Sequence, residues 1–208
     1  MPIPRKAGPP PKMVKQQAGR PDESRSVGQQ LRTIRRQRRL SLQKVADESG
    51  LSVAFISQVE RGLSTPSLNS LQMLCTALRI PISWVFSEPD DVPHEERGRI
   101  VRPNVRKTLR LEKKGIRKEL LTPDLGGKLQ MVLVQVEPGG SSGEELYQHE
   151  GEECGHVLSG ELILTIDKDV YDLKAGDSFR FPSKLPHGFR NPADVPCSVV
   201  WVTTPPFY

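Results

Sequence analysis

The hydrophobic period changes once along this chain. Between Val27 and Phe86, apolar residues recur every three or four positions; from about Ile100 onward they alternate with polar ones. The first spacing lines one face of a helix and the second lines one face of a strand. One element type cannot satisfy both periods, so the chain predicts an all-α part followed by an all-β part. Its 208 residues give room for one large or two small domains. Hydrophobic residues make up 36%, enough for two modest cores, and the 19 prolines imply tail and linker as well.

Val27, Leu31, Ile34 and the stem of Arg38 share one face of a first helix. Ser41 can cap a second helix that ends at Gly50, and Ser52 a third, "VAFISQVERG", that stops at Gly62. Pro66-Ser67 opens a fourth, striped by Leu68, Leu71, Leu74, Cys75 and Leu78, and Pro81 a short fifth carrying Trp84, Val85 and Phe86. The spacing predicts five helices over 27–86, a compact all-α domain. Its second and third helices have helix-turn-helix spacing. Residues 1–26, rich in Pro, Lys and Gly without apolar periodicity, read as a disordered basic tail. Residues 87–99, polar and broken by proline, read as a linker.

Residues 100–208, with a core over 128–204, alternate between Gly/Pro turns and predict an antiparallel sandwich or barrel. Asp167 and Asp169 in "TIDKDVY" belong to a hairpin turn. The apolar "CSVVWV" near the C-terminus suits a core strand better than an interface.

Charge is divided between the two parts. Residues 1–40 hold 11 Lys/Arg and 2 Asp/Glu, a net of +9, while the remaining 168 hold 19 and 23, a net of −4. The basic end is built to meet a polyanion. No apolar run approaches the roughly 20 residues of a membrane helix, and the N-terminus lacks the apolar core of a secretory signal. Cys75, Cys154 and Cys197 are far apart and odd in number, so they form no disulfide framework and read as buried thiols. These features together predict a cytoplasmic protein that avoids membranes.

The stretch "LSLQKVADESGLSVAFISQVERGLSTPSLNSLQMLCTAL" resembles the helix-turn-helix of the phage-repressor-like (XRE, or Cro/CI-type) transcription factors. The match rests on small Ala46 at the helix crossing, Gly50 in the turn, Ile56 as core plug, Glu60-Arg61-Gly62 at the helix end and Pro66-Ser67 at the next start. It implies that the helix from Ser52 to Arg61 enters the DNA major groove. Ser52, Val53, Ala54, Ser57 and Gln58 would then face the bases. Gln58 can pair with adenine through two hydrogen bonds, and Val53 and Ala54 can touch a thymine methyl. Ser41 and Ser52 begin helices whose backbone N–H groups favour phosphate. Arg35, Arg36, Arg38, Arg39, Lys44 and Arg61 are the expected phosphate contacts. Leu42 departs from the pattern, because glutamine often stands there.

A second resemblance lies in the β part. "YQHEGEECGHVLSG" resembles the first motif of the cupin superfamily through His149, Glu153 and Gly160, with Tyr147 in place of the first histidine. "GDSFRFPSKLPHGFRN" resembles the second motif through Gly176, Pro182, His187 and Asn191, with Lys184 in place of a glycine. The resemblance implies a double-stranded β-helix, the cupin jelly roll. Tyr147 and His149 share a face, as do His187 and Phe189, and Glu153 shares its parity with Val157; His156 points the other way. The expected ligand pocket is therefore Tyr147, His149, Glu153, His187 and Phe189. His149, Glu153 and His187 suffice to start a divalent transition-metal site (Zn, Mn, Fe or Ni). They serve equally a metal-free pocket, and the sequence leaves both open.

Together the halves resemble bacterial regulators that join these domains, including repressors of putrescine and amino-acid catabolism. The resemblance implies a homodimeric repressor on a palindromic double-stranded DNA operator, with the cupin sensing a small effector, amine or amino-acid related. Glu144, Glu145, Glu150 and Glu152 flank the pocket and suit a cation. Two other readings remain open: a cupin metalloenzyme (dioxygenase or isomerase) tethered to DNA, and a passive nucleoid-binding protein.

Overall fold

A computed structural model describes residues 26–80, 82–86, 94–123 and 127–206. The expected basic tail lies outside them apart from Ser26, as does the 87–93 part of the expected linker. In the described part of that linker, His94–Glu96 form a 3-10 turn, and Glu96 pairs with Arg102 at 2.7 Å.

Four α-helices form the N-terminal bundle: α1 (Val27–Gln37), α2 (Leu42–Ser49), α3 (Val53–Glu60) and α4 (Leu68–Ala77). A serine caps each one. The hydroxyls of Ser26, Ser41, Ser52 and Ser67 accept from the backbone N–H three residues on, and each such cap is worth about 1 kcal/mol. Gly50 ends α2 at φ 72°, a left-handed conformation that lets the chain turn sharply into α3. The expected fifth helix is instead a single 3-10 turn, Ile82–Val85. Its geometry stacks residues three apart, so Ile82 and Val85 are both buried while Trp84 stays 55% exposed.

Leu31, Ile34, Val45, Ile56, Val59, Leu71 and Leu74 fill the bundle. Gly28 lets α1 lie against α3, because a Cβ there would sit 1.9 Å from the Val59 carbonyl oxygen. Arg35 then clamps the same two helices. Its Nε and Nη2 donate to the two Glu60 oxygens at 2.6 and 2.8 Å, and its Nη1 donates to the Leu40 carbonyl.

The C-terminal part is a jelly roll of nine antiparallel strands. They are β1 (Thr108–Leu111), β2 (Ile116–Leu120), β3 (Gln130–Val136), β4 (Glu152–Ser159), β5 (Glu161–Ile166), β6 (Asp169–Lys174), β7 (Ser178–Pro182), β8 (His187–Arg190) and β9 (Cys197–Thr204). One sheet runs β1-β2-β3-β9-β4-β7 and the other β6-β5-β8. Asp167 makes the β5–β6 turn at φ 54°. β9 lies between β3 and β4, with Cys197, Val199, Trp201 and Thr203 facing inward, so "CSVVWV" is a core strand. Cys75 and Cys197 are buried as expected, but Cys154 is exposed because its parity on β4 points outward.

The two parts touch. The N-terminus of α4 docks on the β3–β4 loop, where the Leu68 N–H donates to the Ser142 carbonyl at 3.1 Å and the Asn69 amide to Glu145 at 3.1 Å. Lys113 donates to the Leu63 carbonyl at 2.7 Å.

Candidate functional site

Both cupin motifs converge because of strand pairing. The Tyr147 N–H donates to the His187 carbonyl at 3.0 Å, and the His187 N–H returns the bond at 2.9 Å. The His149 N–H donates to the Ser183 carbonyl at 2.9 Å. Glu153 sits on β4 between Phe181 of β7 and Thr203 of β9. His149, Glu153 and His187 thus bring one ligand atom each within 4.8 Å of the others.

The tautomers follow from the hydrogen bonds. A carbonyl can only accept, so Nδ1 of His149 donates to Glu150 O at 2.9 Å and Nδ1 of His187 to Leu185 O at 2.8 Å. Both Nε2 atoms then face Glu153 Oε1, at 2.5 and 3.5 Å. Glu153 Oε2 accepts from the Trp201 indole at 2.7 Å. Burial pushes the Glu153 carboxyl up, but the two histidines beside it favour its charged form, outweigh burial and hold it at about 2. Burial and the neighbouring Glu153 charge raise the Tyr147 phenol well above its ordinary value, so Tyr147 stays neutral. It packs edge-on to His187 at 4.2 Å.

The cluster fits a divalent metal. A metal would take the place of the Nε2 protons: without them, two imidazole lone pairs and a carboxylate meet at one point and require a cation between them. His187 Nε2 is fully buried and has no hydrogen-bond partner among the described residues. Nδ1–H bonds to backbone carbonyls are the outer contacts that orient metal-binding histidines, and the Trp201 bond orients the carboxylate likewise. His149, Glu153 and His187 would hold the ion, leaving coordination positions open as a Lewis-acid anchor for a ligand.

A cavity of about 50 Å³ opens beside this cluster. Tyr147, His149 and Glu153 line it, with Trp201 and Thr203 of β9 and Gln130 and Val132 of β3. Lys118 of β2 and Leu109 of β1 complete the barrel side; Leu68, Ile82 and Phe86 close it from the helical part. His187 lies behind Tyr147, and Phe189 packs against Trp201 at 5.3 Å, so neither forms the cavity wall. Asn191, a motif residue, works structurally: its amide donates to the Val136 and Val195 carbonyls at 2.9 and 2.8 Å. His156 is exposed and bonds to Ser178, away from the cluster.

Several lining residues were not evident from the motifs. Lys118 had a signal, since in "IRKEL" it takes the inward parity shared by Ile116 and Leu120, where an apolar residue belongs. Burial lowers its ammonium to about 8 against an opposing pull from Glu153. Trp201, Gln130 and Thr203 follow only from knowing which strands adjoin, and Leu68, Ile82 and Phe86 only from how the two parts meet. Three of the four rim acids have other partners. Glu145 bonds Asn69, Glu150 pairs with Lys184 at 3.1 Å and Glu152 with Arg180 at 3.3 Å.

In the helical part, Ser41, Lys44, Ser52, Ala54, Gln58 and Arg61 are exposed, and Val53 and Ser57 are partly so. Arg36, Arg38 and Arg39 are exposed beside them. Arg35 corrects its expectation as a phosphate contact: its donors turn inward to Glu60 and Leu40, and its side chain is 13% exposed. Leu42 packs against the core, which accounts for its departure from glutamine.

A helix-turn-helix bundle joined to a jelly roll with an inward His–Glu–His cluster defines the class of DNA-binding proteins that carry a cupin. Family models agree: helix-turn-helix matches residues 31–85 and cupin domain matches residues 132–203. The Escherichia coli HTH-type transcriptional regulator PuuR is 33% identical over 185 residues, covering 88% of this chain and 97% of PuuR. Escherichia coli SutR, also an HTH-type transcriptional regulator, is 27% identical over 170 residues, covering 81% of this chain and 88% of SutR. The crystal structure of an HTH_3 family transcriptional regulator from Vibrio cholerae shares the fold, with a TM-score of 0.58, 21% identity and coverage of 86% and 94%. The chain belongs to the family of helix-turn-helix transcriptional regulators with a C-terminal cupin domain. No helix among the described residues is long and apolar enough to cross a membrane.

Proposed function

We propose that this protein is a sequence-specific transcriptional repressor whose DNA affinity is set by a small metabolite held in the cupin cavity. Residues 27–86 are the DNA-reading unit and 100–208 the sensing unit, and the protein acts in the cytoplasm at the nucleoid. α3 enters the major groove, with Ser52, Val53, Ala54, Ser57 and Gln58 toward the bases. Arg36, Arg38, Arg39, Lys44, Arg61 and the N-termini at Ser41 and Ser52 meet phosphates. A homodimer would place two such helices about 34 Å apart on a palindromic operator.

One observation carries the sensing reading: Leu68, Ile82 and Phe86 of the helical part wall the same cavity as His149 and Glu153 of the barrel. A ligand there touches both parts, so it can favour one of their arrangements over another. Such coupling is worth about 1–3 kcal/mol. A divalent metal on His149, Glu153 and His187 would supply an anchoring point for that ligand. Tyr147, neutral and buried, shapes the wall beside it.

The test is operator binding by the full chain, with and without an extracted small-molecule fraction that shifts its affinity. His149→Ala should keep DNA affinity and lose the shift. A mutant that responds as the wild type does would remove the cavity from the mechanism. The open metal positions also suit a tethered cupin metalloenzyme, which oxygen uptake or isomerisation by iron- or manganese-loaded protein would reveal.

A further inference from the structure

The cavity holds a cation that neither cupin motif explains. Lys118 lies on β2 with its Cα opposite Leu109 of β1 and Val134 of β3. Its neighbours on the same face, Ile116 and Leu120, are 3% and 1% exposed, so the lysine points into the barrel. It makes no hydrogen bond or ion pair among the described residues, yet it lines the cavity, where Glu153 pulls on it without bonding to it. A charge facing a barrel interior costs stability unless something compensates it.

Two further polar groups line the same space. Gln130 and Thr203 face each other across β3 and β9, are 7% and 8% exposed, and make no side-chain hydrogen bond among the described residues. Buried polar groups in native proteins are nearly always satisfied, so Gln130 and Thr203, with the half-buried Lys118 beside them, mark a place for a polar ligand. An ammonium, an amide N–H and a hydroxyl are all donors, and together they suit an anion. Leu68, Ile82, Phe86, Leu109 and Val132 give an apolar wall, and Tyr147, His149, Glu153 and Trp201 form the end at the cluster. The cavity is small, about 50 Å³.

We infer that the effector is a short aliphatic carboxylic acid, and that Lys118, with Gln130 and Thr203, binds its carboxylate. This rests on the reading of the cavity as the effector site. The acid's chain lies against the apolar wall that the helical part contributes. A diamine is disfavoured because it would place an ammonium against Lys118, while the one carboxylate in the lining, Glu153, is already engaged by His149 and Trp201, and Glu145, Glu150 and Glu152 outside are partnered as well.

Matched probes test this on the full chain by calorimetry: butanoate, glutarate and 5-aminopentanoate against butanamide and 1,5-diaminopentane. The carboxylates should bind, and Lys118→Met should weaken them about tenfold or more, as loss of a charge-assisted bond predicts, while Lys118→Arg restores part of the affinity. The unliganded Lys118→Met protein should melt no lower than the wild type, since it loses a half-buried, unbonded charge and gains an apolar side chain. Amide binding equal to acid, carboxylate binding indifferent to Lys118→Met, or a sharply lower melting temperature would each overturn the assignment. Diamine binding that needs His149 but not Lys118 would overturn it while leaving the cavity as the effector site. If no probe of either kind binds, both readings fall.

Discussion

Trp201 on β9 donates its indole N–H to Glu153 Oε2 at 2.7 Å, and this bond fixes which carboxylate oxygen faces the two histidines. Replacing Trp201 with Phe removes the donor and keeps most of the ring. The affinity for zinc or manganese, read by chelator competition, should fall about 10–100-fold. Unchanged affinity would show that packing alone orients Glu153.

The same carboxylate sets an acid limit on stability. Its folded value of about 2 lies below the ordinary 4.5, so Glu153 stabilises the fold at pH above 4.5. That contribution should be lost as pH falls from about 4.5 toward 2. Urea unfolding of chelator-treated protein across this window should show the loss, and Glu153→Gln should flatten it. A wild-type slope identical to the variant's would contradict the assignment.

Arg35 and Glu60 form a largely buried bidentate pair between α1 and α3. Arg35→Met leaves Glu60 buried without its partner and should cost about 3–5 kcal/mol. The double change Arg35→Met, Glu60→Leu should recover most of it. Unfolding midpoints of the three proteins decide the matter, and a single variant as stable as the wild type would rule the clamp out.

Gln58 is exposed on the groove-facing side proposed for α3. Gln58→Ala should lower discrimination at one operator position by ~1–3 kcal/mol. A selection profile that matches the wild type would mean that Gln58 reads no base.

Arg36, Arg38 and Arg39 act through charge, so their effect should depend on salt rather than on operator sequence. A dimer that neutralises six to ten phosphates loses about 10³–10⁵ in binding constant between 50 and 200 mM salt. Each arginine changed to alanine should reduce that slope. Flat binding across this range would contradict the phosphate role.

Much of the fold is legible locally. Ser41, Ser52, Ser67 and Gly50 cap helices where their chemistry places them, because a cap depends on residues within one turn. The strand alternation and both cupin motifs mark the barrel, and parity alone sets Glu153 inward and His156 outward. The turn at Ile82–Val85 is not legible as such, because a pattern only four residues long is too short to separate an α-helix from a 3-10 turn. The inward turn of Arg35 is not legible either, because its partner Glu60 stands 25 residues away.

The sequence by itself determined the two element types, the caps, the basic end and the residues of the His–Glu–His cluster, all of which follow from local spacing. Only the tertiary structure decided what surrounds that cluster. Lys118, Gln130, Thr203 and Trp201 reach the cavity through strand neighbours distant in sequence, and Leu68, Ile82 and Phe86 reach it because the bundle docks on the barrel mouth. Periodicity tells a side chain which face of its own element to occupy, and it carries no information about which other element lies opposite.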